Sequence, residues 1–299
     1  MQRRIIKTGC LMLAVLTSGV YANEWTYYGG DQGGKHYSSA KQITKNNVAD
    51  LDVAWVYQSG DMEKYSEAMV QTSTQATPIL LPLAAGESLV YCTPYSRVIA
   101  LDPATGKQRW DYDPEISLEG DRPFRCRGVS YAQDMQTETG QQCRHRIYIA
   151  THDRTIRALD AKTGKACESF GIKGTAVLYG KEGFPPGDVS NSATPVIANN
   201  IIVTGSSVID FSKSNSPRGI VTALDTHSGK TLWTFDPLIG NQQSGSANVW
   251  SQMSVDAENN LVFLPTSAPS PDYYGADRPG DNLYANSLVA LDLTTGKVQ

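Results

Sequence analysis

"VIALDPATGKQRW", residues 98–110, is the stretch that decides the fold. The apolar run Val98–Leu101 enters, Asp102 and Gly106 shape a turn, and an alternating stretch leaves toward Trp110. The phrase returns as "RALDAKTGKACESF" (157–170), "VTALDTHSGKTLW" (221–233) and "VALDLTTGKVQ" (289–299). Leu101, Leu159, Leu224 and Leu291 mark the copies, at steps of 58, 65 and 67 residues, and a weaker relative, "VADLDVAWVY" around Leu51, precedes them. Recurrence at steps of this size predicts a repeat architecture. β-rich runs lie upstream of each copy ("SLVYCTP", "RIYIATH", "NIIVTGSS", "NLVFLPTS"), with no long amphipathic helix between them. Four short strands in roughly 60 residues describe one blade of a propeller. The tryptophan is expected to pack between neighbouring blades; in the second copy Cys167 stands where it is expected. Four to five units are legible and the last lacks its tryptophan. Because an open propeller leaves an exposed edge on each side, we expect further units and read the chain as part of a longer protein.

Composition agrees with a folded protein. Hydrophobic residues are 40% and charged ones 19% of the 299 residues, and Gly 26, Pro 15 and Tyr 15 suit many turns and short strands. The net charge of −4, without a dense Lys/Arg patch, gives no footprint for nucleic acid. Residues 1–22 read as a secretory signal peptide: "MQRRIIK" is positive, "GCLMLAVLTSGV" apolar, and "VYA" a small-residue exit. An N-terminal membrane anchor is the alternative, but the apolar run is short for a bilayer. Export predicts an oxidising compartment for Cys92, Cys126, Cys143 and Cys167. Three pairings are open; Cys143 with Cys167 is favoured because both flank one strand-turn unit. CxxC-like zinc spacing is absent. The four histidines are scattered, His227 reading as a solvent-exposed turn residue and "GGDQGGK" (29–35) as a flexible loop.

The repeats resemble the tryptophan-docking motif of quinoprotein dehydrogenases, eight-bladed propellers that bind pyrroloquinoline quinone. The likeness extends over residues 24–299, through "QATPILL", "YCTPYSRVIALDPATGK", "CRGVSY" and "RPGDNLYANSLVALDLTTGK". The resemblance therefore implies an all-β, eight-bladed β-propeller domain over residues 23–299. "CRGVSY" and the cysteine positions lean toward the glucose, quinate and shikimate branch. The implied function is oxidation of a sugar, polyol or alcohol hydroxyl, with electrons passing to ubiquinone or a cytochrome c. The competing expectation is a non-catalytic tryptophan-docked scaffold of the cell envelope.

The resemblance also carries residue roles. Arg127 aligns with an arginine that contacts the quinone, and a guanidinium offers a carboxylate two parallel donors; an interblade salt bridge is the alternative. Gln75 falls where alcohol-type relatives carry a glutamate on the cofactor. Ser192 and Ser207 match hydroxyl contacts to its carboxylates. Asp210 and Asn248 match calcium ligands, oxygen donors suited to a hard cation. Trp250 matches the flat platform beneath the quinone ring; if residues 248–250 form a strand, Asn248 and Trp250 share a face. A docking tryptophan is the alternative. Two departures are visible. No adjacent cysteine pair is present, and Ala132 stands where glucose-type enzymes carry histidine. In this family the proton-abstracting aspartate falls beyond Gln299, so Asp272 and Asp281 are read as turn and loop residues and no base is assigned.

Overall fold

A computed structural model describes residues 25–66, 72–120, 123–179, 183–210, 215–240 and 244–299. The signal peptide expected at residues 1–22 lies outside the described residues. Three antiparallel four-stranded sheets follow one another, each a meander in chain order. Blade I comprises Ile79–Leu80, Leu89–Cys92, Val98–Leu101 and Gln108–Tyr112; blade II Ser130–Gln133, His145–Ala150, Thr155–Asp160 and Thr175–Val177. Blade III comprises Val196–Ala198, Ile201–Thr204, Val221–Asp225 and Thr231–Phe235. Blade IV holds Ser254–Asp256, Leu261–Pro265 and Leu288–Asp292, and a bridge from Leu291 to Val298 begins its fourth strand. Among the described residues the longest helix is the single turn Asp61–Lys64, so the expectation of strands throughout is borne out.

Every repeat turn is built alike. The Oδ1 atoms of Asp102, Asp160, Asp225 and Asp292 accept hydrogen bonds from the backbone N–H and the hydroxyl of Thr105, Thr163, Ser228 and Thr295 respectively. The glycine that follows has φ between +69° and +71° in all four turns, a conformation that disfavours any side chain. It has a second task. A Cβ at Gly106 would lie 2.5 Å from the Trp55 ring, at Gly164 2.6 Å from Trp110, and at Gly296 2.6 Å from Trp233. Each indole thus lies on the turn of the following blade, and its Nε1–H donates to a carbonyl there: Trp55 to Pro103, Trp110 to Ala161, Trp233 to Leu293. Trp55 makes the weak copy around Leu51 a true member of the series.

The II–III junction corrects one expectation. Phe170, fully buried, rather than Cys167, takes the docking place and lies against Gly229. Phenylalanine has no N–H, so Thr226 O, which matches the other docking carbonyls, accepts instead from the Tyr148 hydroxyl (2.7 Å) and Arg146 (3.1 Å). Cys167 is bonded to Cys143 as expected, and a second disulfide joins Cys92 to Cys126. His227 is also corrected. Its Nδ1 lies 2.8 Å from Asp134, which also pairs with the fully buried Arg146.

"GGDQGGK" is not a loose loop either. Asp31 caps its own turn by accepting from the Lys35 N–H (3.1 Å), and Gln32 donates to Ile197 O of blade III. Gln32 O in turn accepts from the Val255 N–H of blade IV. The segment clasps the otherwise unpaired edges of first strands, which accounts for its position. Apolar clusters fill the spaces between blades; one joins Trp233 and Phe235 of blade III to Val262 and Leu291 of blade IV.

Candidate functional site

Strand direction separates the two ends of the molecule. In a four-stranded meander the third-to-fourth turn lies at one end, and the second-to-third loop and the exit to the next blade at the other. The repeat turns occupy the first end. Gln75, Arg127, Ser192, Asn248 and Trp250 precede the first strands, and Ser207 and Asp210 lie in the second-to-third loop of blade III, so all seven belong to the second end.

Arg127 is the hub. Its backbone N–H donates to Ser192 O at 3.1 Å, and its carbonyl accepts from Thr77 N–H at 2.9 Å. Its Nη1 donates to Ser192 Oγ at 2.7 Å and to Trp250 O at 3.2 Å. The guanidinium carbon stands 5.2 Å from the centre of the Trp250 ring, a cation–π distance. Burial first, then the neighbouring Arg125 charge, pull the Arg127 guanidinium below its usual range. Among the described residues its hydrogen-bond acceptors are neutral and no carboxylate pairs with it. A desolvated cation with neutral partners favours an incoming anion.

Ser192 is 7% exposed and Trp250 44%, so a closed hydroxyl sits beside an open indole. Ser207 pairs in register with Ser190, two residues before Ser192. Asn248, 1% exposed, donates from Nδ2 to Ser206 O at 2.9 Å. Its Oδ1 accepts from the hydroxyls of Ser246 (2.9 Å) and Ser267 (2.8 Å). Ser192 is thus bonded to Arg127 directly, while Ser207 and Asn248 are held by the neighbouring Ser190 and Ser206. Asp210 is fixed through its carbonyl, which accepts from Asp272 N–H and Ser270 Oγ. Gln75 is exposed; it follows Thr74, the register partner of Cys126, and so stands next to Arg127 along that parallel pair.

One geometric expectation fails. Residues 247–250 form no strand, and Asn248 is buried while Trp250 is open, so the two do not share a face. The cause is local. Ser246 and Ala247 have φ of 63° and 52°, and the segment is pressed so closely on Gly219 that a Cβ there would lie 2.4 Å from Asn248 Cα. Ala132 lies at the far end of the first strand of blade II, in a cavity with Gln133, Arg144 and Asn199. A separate cavity of 260 Å³ runs beside the hub, lined by Tyr28, His36, Thr194 and Gln252.

Sequence reading missed Ser246 and Ser267, which hold Asn248 Oδ1, and the Thr77 N–H that fixes the Arg127 carbonyl. Serines and backbone donors leave no pattern in a sequence, because their role arises from loops meeting in space. Arg154 was discoverable, since an arginine precedes the third strand in blades I, II and III (Arg97, Arg154, Arg218). Arg154 is buried and donates to Asn191 Oδ1, next to Ser192.

For the quinone, the donor chemistry fits: a cation, a hydroxyl and an open indole meet at one point. For calcium it fits in donor type, one carboxylate and one amide oxygen. Asn248 Oδ1 is occupied here by the hydroxyls of Ser246 and Ser267.

Comparison with known proteins bears on the fold and the family. Residues 25–299 match the family described as PQQ: glucose/ethanol/alcohol dehydrogenase, beta-propeller domain. Quinoprotein glucose dehydrogenase A of Acinetobacter calcoaceticus is 33% identical over 98% of this chain and 39% of its own length. Quinate/shikimate dehydrogenase (quinone) of Acinetobacter baylyi is 33% identical, covering 91% of this chain and 36% of its own. The crystal structure of quinohemoprotein alcohol dehydrogenase from Comamonas testosteroni superposes with a TM-score of 0.72 at 26% identity, over 93% of this chain and 40% of that one. The chain therefore spans about two fifths of the length of these relatives. With a family match over nearly its whole length and the docked-blade architecture, the chain belongs to the pyrroloquinoline-quinone dehydrogenase β-propellers.

Proposed function

We propose that this chain contributes the quinone-binding half of a periplasmic, calcium-dependent quinoprotein dehydrogenase. In this reading the whole protein oxidises a hydroxyl of a sugar, polyol or alcohol and passes the electrons to ubiquinone or a cytochrome c. The observation that carries it is Arg127: a half-buried guanidinium on an open indole, with neutral acceptors and an arginine neighbour. A flat ring bearing carboxylates answers both needs at once. The bound quinone would supply the hydride acceptor, and calcium would polarise its reactive carbonyl.

The chain's own residues bind and orient. Arg127 and Ser192 take a carboxylate, Trp250 offers its ring face, Ser207 and Gln75 add polar contacts, and Asp210 with Asn248 hold the cation. None of the seven acts as base, and residues 1–299 alone bind the quinone without turnover. Export is supported by the signal-like residues 1–22 and by two disulfides, which persist in an oxidising compartment. No described helix is long and apolar enough to cross a membrane.

The test is direct. Protein incubated with pyrroloquinoline quinone and Ca²⁺, then gel-filtered, is expected to carry the quinone's visible absorbance. Protein that emerges colourless favours the scaffold reading, in which the same docked blades hold no cofactor.

A further inference from the structure

The disulfide between Cys92 and Cys126 stands apart from its companion in where it lies. Cys92 ends the second strand of blade I, at the end of the molecule that holds the candidate site, and Cys126 is bonded through its own peptide to Arg127. Both sulfurs are enclosed; the residues are 0% and 4% exposed. Cys143 and Cys167 lie at the opposite end, beside the repeat turn of blade II.

Arg127 has no strand of its own. It sits between Phe124–Cys126, which pairs with Thr72–Thr74, and Ser130–Gln133, the first strand of blade II. Its backbone is held by Thr77 N–H on one side and Ser192 O on the other. Thr77 lies two residues before the first strand of blade I, so that bond and the short pair with Thr72–Thr74 tie the segment to blade I non-covalently. The covalent bond from Cys126 to the strand Leu89–Cys92 adds a fixed link to the blade I sheet, one residue before the guanidinium's own Cα.

We propose that the Cys92–Cys126 disulfide is a positioning element for Arg127, setting the point from which the guanidinium reaches Ser192, Trp250 and an incoming carboxylate. The idea rests on the quinone-binding reading above. A group that must meet a planar carboxylate through two parallel N–H donors tolerates little displacement. Loss of the bond therefore weakens quinone binding out of proportion to its effect on folding.

The experiment compares two pairs of substitutions in the same protein, Cys92→Ala with Cys126→Ala, and Cys143→Ala with Cys167→Ala. Quinone affinity in Ca²⁺ is read from quenching of tryptophan fluorescence, and thermal unfolding is recorded without quinone. The expected result is a rise in Kd of about tenfold or more, a loss of ~1.4 kcal/mol, for the first pair alone, while both pairs lower the melting temperature. If the first pair fails to fold, Cys92→Val with Cys126→Ala, which refills part of the enclosed space, takes its place with the same expected loss of affinity. An unchanged Kd in the first pair, or an equal rise in both, overturns the positioning role and leaves the quinone site standing. Absence of quinone binding to the unsubstituted protein overturns the site, and the positioning role with it.

Discussion

Arg127→Lys tests what the guanidinium does. Lysine keeps the charge but loses the planar fork and the stacking on Trp250. Quinone affinity should fall about tenfold or more, some 1.4 kcal/mol, with thermal stability nearly unchanged; equal affinity for the two proteins would reduce Arg127 to a bare charge. Asp134 presents the opposite case, a residue of the fold. Burial alone would raise its carboxyl, but hydrogen bonds from Thr137, His227 and the Gln136 N–H, with the Arg146 charge, outweigh burial and hold it below the ordinary range. A depressed carboxyl contributes stability above the unfolded value of about 3.9, and that stability is lost as pH falls through the folded value. Asp134→Ala also strands the fully buried Arg146, so a cost of about 3–5 kcal/mol at neutral pH is expected in denaturant unfolding. A loss below about 1 kcal/mol would mean that the pair behaves as a surface contact.

Each repeat turn asks more of its glycine than a bend. At Gly164 the positive φ and the Trp110 ring, 2.6 Å from any added Cβ, both exclude a side chain; at Gly229 the nearest atoms are Gly171 N at 3.0 Å and the smaller Phe170 ring at 3.2 Å. Gly164→Ala is therefore expected to destabilise by more than ~1 kcal/mol, and Gly229→Ala by less than Gly164→Ala. The reverse order in thermal unfolding would contradict the docking account. Trp110→Ala should cost about 3–5 kcal/mol, since it empties a buried interblade site and leaves Ala161 O without its indole donor. These turns were legible in the sequence because an Asp, a Thr or Ser, and a Gly are each dictated by local geometry. Phe170 was not. The second copy shifts its aromatic residue along the chain, and its lost N–H is replaced by Tyr148, which lies in another strand. His227 misled for the same reason: its partner Asp134 is 93 residues away.

Across the whole molecule, the site is made by connections that enter successive blades and converge at one end. Arg127 reaches Ser192 across 65 residues and Trp250 across 123. Composition and spacing say nothing about such a meeting; resemblance to a family named these residues, and the arrangement of blades explains why they meet. The shared face of Asn248 and Trp250 was conditional on a strand, and two left-handed residues and a close glycine impose an irregular path there instead. The clasp formed by Gln32 on blades III and IV was hidden in a glycine-rich stretch for the same reason: its partners lie far along the chain. The decisive measurement is a titration of the protein with pyrroloquinoline quinone in the presence of Ca²⁺, followed by tryptophan fluorescence and repeated with Trp250→Ala and Arg127→Ala. The account predicts saturable quenching in the unsubstituted protein, with affinity lowered by about tenfold or more in each variant. Quenching of equal affinity in all three proteins, or none in any, would contradict it.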